Sequence, residues 1–160
     1  MRTSLGRITL LACLLSVGSV APASADVTAF LGYTPKPSSQ VMRGFAFGLN
    51  LLVVGFEIEY ANAAENVASA RAGLTTGMIN GLVQTPTSDT QFYLTAGGGF
   101  FRERLGGASE TNFGTNIGGG VKLGLAGPLR VRFDYRVYNL RGTPIHATPQ
   151  RLYAGLNLSF

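Results

Sequence analysis

The stretch Thr111–Tyr138, TNFGTNIGGGVKLGLAGPLRVRFDYRVY, decides how the whole chain is read. With a period of two, its first half places Phe113, Thr115, Ile117, Gly119, Val121, Leu123 and Leu125 on one face. Asn112, Gly114, Asn116, Gly118, Gly120, Lys122 and Gly124 fall on the other. A Gly127-Pro128 corner follows. Beyond it Leu129, Val131, Phe133, Tyr135 and Val137 continue an apolar face, against Arg130, Arg132, Asp134, Arg136 and Tyr138. Side chains that alternate between two faces mark strands, and two such runs joined by so short a corner make a β-hairpin.

The polar face mixes glycines with closely spaced charges, while the apolar face is long and unbroken. A soluble antiparallel sheet turns its apolar face to a core and its polar face to water. A transmembrane barrel inverts this, with lipid outside and a polar interior. A small barrel is too narrow for an open pore and fills with side chains. Charges inside it must pair, because an isolated buried charge is very costly.

Gly118–Tyr138 also resembles the outer-membrane β-barrel domain family, the OmpA-like small barrels. Its members commonly carry a G-G-G-V-x-x-x-L hairpin, here Gly118 to Leu125, followed by an R-x-D-Y-R strand, here Arg132 to Arg136. The resemblance implies an eight-stranded barrel in the outer membrane. Many members have no known activity, so it speaks to fold and location more than to function.

The chain begins MRTSLGRITLLACLLSVGSVAPASAD. Arg2 and Arg7 give a basic start, Ile8–Val20 an apolar run of about thirteen residues, and Ala23-Ser24-Ala25 a small-residue cleavage site. The run is shorter than the roughly twenty residues a membrane helix needs. Residues 1–25 are therefore read as a secretory signal peptide and residues 26–160 as the barrel domain. Leu10-Leu11-Ala12-Cys13 looks like a lipoprotein processing site. The apolar run continues past Cys13, however, which favours a cysteine inside the signal. Without it the mature chain has no thiol and no disulfide in an oxidising compartment.

Removing Arg2 and Arg7 lowers the formal charge from +5 to +3. A basic balance raises nucleic-acid binding. The bases, however, alternate with acids along strands and form no lysine-rich run, so no nucleic-acid partner is expected.

In chain order, strands are expected over 27–33, 41–49, 54–60, 71–81 and 91–101, then in the two halves of the hairpin, and at 151–160. In strand four, Ala72, Leu74, Thr76 and Met78 are placed outward, with Arg71, Gly73, Thr75 and Gly77 inward. Turns are expected at 50–53, 85–89 and 126–128, and longer loops at 34–40, 61–69, 102–110 and 139–150. Short turns on one side and long loops on the other fit an all-β, eight-stranded antiparallel up-and-down transmembrane barrel, with both ends in the periplasm. The chain ends with Tyr153, Leu156, Leu158 and Phe160, which resemble the carboxy-terminal signal read by the outer-membrane assembly machinery. The expected partners are that machinery and outer-membrane lipids, and the expected state is monomeric. No peptidoglycan-binding domain follows Phe160, so envelope tethering is expected to need a partner.

Little points to catalysis. A few barrels of this size modify lipids with a serine, a histidine and an acid at the membrane rim, but His146, the one histidine, reads as an unpaired loop residue. Gly97–Gly99 and Gly118–Gly120 lie inside strands with no helix after them, so they lack phosphate-cradling geometry. Glu57 and Glu59 share a polar face with Arg71, and carboxylates beside arginine are usually structural partners. No catalytic, cofactor or metal residues are expected. The interior network is expected to comprise Glu57, Glu59, Arg71, Lys122, Arg130, Arg132, Asp134 and Arg136. Its five bases and three acids do not balance, which sends the excess to water or to loop acids such as Glu103. The function expected is structural or surface-interacting, without an open general pore. The alternatives are a lipid-modifying enzyme of the outer membrane and a soluble lipocalin-like barrel with an apolar cavity.

Overall fold

A computed structural model describes residues 23–35, 39–86, 88–145 and 147–160. Eight strands follow in order: β1 (Ala23–Thr34), β2 (Gln40–Leu51), β3 (Val54–Ala63), β4 (Gly73–Gln84), β5 (Thr90–Leu105), β6 (Ala108–Ala126), β7 (Leu129–Leu140) and β8 (Gln150–Ser159). Each pairs antiparallel with the next, and β8 returns to β1 from Asp26↔Ser159 to Tyr33↔Leu152, closing a barrel. Closure leaves no strand edge, so backbone donors and acceptors pair within the wall.

Alternation fixes what faces where. Phe45, Phe56, Ile58, Leu94, Phe100, Ile117 and Leu156 stand exposed on the outer wall, while Arg132, Arg136, Glu59, Lys122 and Asn157 are buried inside. The lipocalin-like alternative needs the reverse arrangement and does not describe this chain.

Several sequence expectations shift. β1 begins at Ala23, so Ala23–Ala25, assigned to the leader, pair here with Leu51, Asn50 and Leu49. The rest of the assigned leader, with Cys13, lies outside the described residues, as does His146. The turn expected at 50–53 narrows to Leu52-Val53, with Leu52 at φ +53°. Residues 102–110 are not a loop. β5 and β6 run up to Gly106-Gly107, whose φ values of +60° and +88° suit a two-residue hairpin turn. The charges there resemble a loop by composition, but they alternate across the two faces of paired strands.

Strand four is inverted. Met78, Asn80, Leu82 and Gln84 point inward and Ile79 and Val83 outward. The apolar residues Met78 and Leu82 carry the inward face, which the rule of apolar outside does not anticipate. The loop between β3 and β4 holds a short 3-10 helix, Val67–Ser69, capped by the Asn66 side chain accepting from the Ser69 N–H at 3.1 Å. In the loop after β7 the Ile145 N–H donates to Glu103 Oε2, on the inward face of β5, at 2.8 Å.

Candidate functional site: a charge-paired lumen

Small inward residues make room for large ones. Gly120 lies opposite Asp134 and beneath the Tyr93 ring, and Gly118 lies opposite Arg136. A Cβ at either position would collide with backbone carbonyl oxygen of β7 and with that neighbouring side chain. The inward members of the glycine runs are thus set by close approach inside a narrow barrel.

Into that room project four bases, Lys122, Arg132, Arg136 and Arg151, and four acids, Asp26, Glu57, Glu59 and Asp134, all buried and joined by seven ion pairs. Arg136 is the hub. Its Nε donates to Asp134 Oδ1 at 2.9 Å and its Nη2 to Glu57 Oε1 at 2.8 Å and Asp134 Oδ2 at 3.1 Å. Its Nη1 lies 3.1 Å from Glu59 Oε2, pairing by charge without hydrogen-bond alignment. Arg132 donates to Glu57 Oε2, to Asp134 Oδ2 at 3.2 Å and, through Nε, to the Tyr93 hydroxyl at 2.7 Å. The Tyr93 hydroxyl in turn donates to Asp134 Oδ2 at 2.5 Å. Arg151 donates to Glu59 Oε1. The planar guanidinium, with donors on three nitrogens, suits this branching better than an ammonium.

Toward the turn end of the barrel a second, simpler unit stands apart. Lys122 Nζ donates to Asp26 Oδ2 at 2.6 Å, and Asn50 Nδ2 donates to the same oxygen at 2.9 Å. Between the two units Thr28 receives Asn157 Nδ2 at 2.8 Å. Aromatic rings close the arginine layer. Arg132 lies 4.7 Å from the Tyr93 ring centre and Arg151 4.8 Å from that of Tyr138, within cation–π range.

Six of the eight expected network residues therefore meet inside: Glu57, Glu59, Lys122, Arg132, Asp134 and Arg136. Arg71 does not. It is exposed in the loop before β4, bridged to Asn66, and its Nη1 donates to the Ser39 carbonyl at 2.9 Å. Strand four starts two residues later than expected and faces the other way, so Arg71 never enters the wall. Arg130 sits half-buried at the turn end, donating to Gln91 Oε1 at 3.3 Å. Sequence reasoning missed Asp26 and Arg151. Both were legible by counting: Asp26 is one period before inward Thr28, and Arg151 opposes the outward set Leu152, Ala154, Leu156. Exchanging Arg71 and Arg130 for Asp26 and Arg151 turns an unbalanced set into a neutral one.

The terminal residues divide between faces. Leu156, Leu158 and Phe160 face outward, whereas Tyr153 is buried in the lumen and stacks on Phe30 with ring centres 4.2 Å apart. Tyr153 therefore does not share a surface with the other three.

No protein-family model matches the chain, and no curated protein does. Solved structures do. The N-terminal β-barrel domain of Pseudomonas aeruginosa OprF is 16% identical, with a TM-score of 0.65 over 86% of this chain and 97% of that one. Neisserial surface protein A is 18% identical, with a TM-score of 0.66 over 86% and 96%. The outer membrane enzyme PagL is 17% identical, with a TM-score of 0.52 over 83% and 98%. The chain thus has the fold of the small eight-stranded outer-membrane β-barrels.

Proposed function

We propose that this protein is an outer-membrane barrel with a structural or surface-interaction role, and neither an open general porin nor an enzyme. The observation that carries the reading is the lumen, filled by a neutral network of four bases and four acids whose partners are one another. Side chains tied into such a network support a lumen without an open general pore. The outer wall supports the location: long apolar and aromatic side chains cover it, and hydrocarbon is the solvent that such a surface fits. The lipids of that membrane and the machinery that assembles barrels are the partners this reading requires, with Leu156, Leu158 and Phe160 as the exposed end offered to the latter. Similar folds include both a surface protein and an enzyme, so the fold alone does not choose between them.

Planar-bilayer recording tests the closed lumen. The refolded protein is expected to give no stable channel steps. Steps persisting at high salt would overturn it. Mass spectrometry of membrane lipids from cells with and without the protein tests the non-enzymatic reading, for which identical lipid profiles are expected.

A further inference from the structure

The outer wall carries a gap that the lumen does not explain. Phe45, Tyr60, Gly77, Phe100 and Phe113 face one another in register across β2 to β6, all outward. Phe45 stacks on Tyr60 with ring centres 5.4 Å apart, and Phe100 meets Phe113 edge-on at 6.1 Å. Between the two pairs Gly77 interrupts the aromatic row, and a Cβ built there meets nothing within 4 Å. The row one step nearer the loops is polar: Arg43, Asn62, Thr75, Arg102 and Thr111, again in register. Asn62 donates to Thr75 at 2.8 Å and Arg102 Nε to Thr111 at 3.0 Å, which leaves the terminal guanidinium nitrogens of Arg102 available. Arg104 follows on the same face. Among the described residues neither Arg102 nor Arg104 has an ion-pair partner. Tyr60, Gly77, Phe100, Thr75, Arg102 and Arg104 are among the residues lining one groove of about 690 Å³, in which Glu65 is the one acid.

We propose that this groove seats a phosphorylated glycolipid of the leaflet at the loop end, with an acyl chain over Gly77 and a phosphate on Arg102 and Arg104. Strands two apart stand roughly 10 Å from one another, so Tyr60 and Phe100 flank a slot that admits an acyl chain. An aromatic row marks the level where hydrocarbon gives way to headgroups, and arginine one row beyond is placed for the anion there. A second copy of the chain docking through this face would bring arginines against arginines, which charge complementarity disfavours. The inference rests on the membrane reading above.

The parent, Arg102→Gln/Arg104→Gln and Gly77→Leu are refolded in maltoside micelles. Retention of diphosphorylated lipid A and of its dephosphorylated form is then compared by native mass spectrometry. The parent is expected to hold the phosphorylated form more tightly. The arginine variant is expected to lose about tenfold and to stop distinguishing the two forms. Gly77→Leu, which fills open space outside the barrel, is expected to weaken both forms alike. Equal retention of both forms by the parent, or parental discrimination by the arginine variant, overturns the proposal. Vesicle insertion and heat-dependent gel mobility of the parent are measured alongside. If the parent inserts but does not discriminate, only this inference falls. If it does not insert, the membrane reading falls with it.

Discussion

The lumen has two storeys built on opposite principles. Toward the turns it is ionic, from Lys122 and Asp26 up to Arg136 and Glu59. Toward the loops apolar side chains take over, with Phe101, Tyr138 and Leu140 in one buried cluster and Phe30, Met42, Ala61 and Ala63 in another; the two storeys meet where Met78 lies opposite Glu59 and Tyr153 opposite Asp134. The apolar storey asks only that volume be filled. The ionic storey asks that every charge find opposite charge in good geometry, since taking an ion from water costs several kcal/mol that pairing must offset. A fault in the first leaves a cavity, whereas a fault in the second leaves an uncompensated charge.

The largest effect is therefore expected from the ionic storey. Asp134 accepts from Arg132, Arg136 and Tyr93 at once. Asp134→Ala strands two guanidinium groups and is expected to cost about 3–5 kcal/mol, read as a lowered urea midpoint of protein refolded in lipid. Tyr135→Phe keeps the outward ring next door and is expected to cost much less. A parental midpoint for Asp134→Ala would show that the arginines do not depend on it.

Next comes the apolar storey. Met78→Ala, in the buried cluster of Phe101, Tyr138 and Leu140, is expected to cost about 2–3 kcal/mol, within the range for buried truncations. A loss matching that of Asp134→Ala would erase the distinction between the storeys.

The same distinction decides what was legible in the sequence. The ionic storey announces itself, because charges alternating with aromatics in Arg130–Tyr138 have no place on a lipid-facing wall. Strand number, antiparallel order and the turns at 85–89 and 127–128 follow from the same alternation. The apolar storey is silent. An inward Met78 or Leu82 has the chemistry of an outward residue, so the pattern of β4 admits either phase. Cross-strand register settles it: Glu57↔Asn80 and Glu59↔Met78 place those residues on the inward face. Loop length at the β5–β6 end failed for a related reason. Outside the membrane both faces of a strand tolerate charge, so Arg102, Glu103 and Arg104 carry no phase signal, and Gly106-Gly107 alone marks the turn.

A smaller effect is expected where charge is removed evenly. Lys122 and Asp26 form a unit with Asn50, apart from the arginine cluster. Replacing a buried pair by neutral groups of like volume is often nearly neutral, although breaking it from one side is not. The double variant Asp26→Asn/Lys122→Met is expected to lie within about 1 kcal/mol of the parent, while Lys122→Met alone is clearly less stable. Double and single variants with equal midpoints would mean that the pair is not coupled.

The smallest effect is expected at Arg71, and it tests the corrected network most directly. By alternation alone Arg71 is the partner of Glu57 and Glu59. In the structure Arg132 and Arg136 pair with Glu57, and Arg136 and Arg151 hold Glu59 from two sides inside the barrel. Arg71 stands in the β3–β4 loop with its side chain exposed, making one side-chain hydrogen bond, to the Ser39 carbonyl. An exposed side chain outside any network contributes little when removed. Arg71→Ala is expected to leave the urea midpoint at the parental value within error, whereas Arg151→Ala lowers it, because Glu59 loses its hydrogen-bonded cation and remains buried. Equal losses from the two variants would mean that the loop region is as tightly coupled to folding as the lumen. In that case Arg71 would have to be returned to the network.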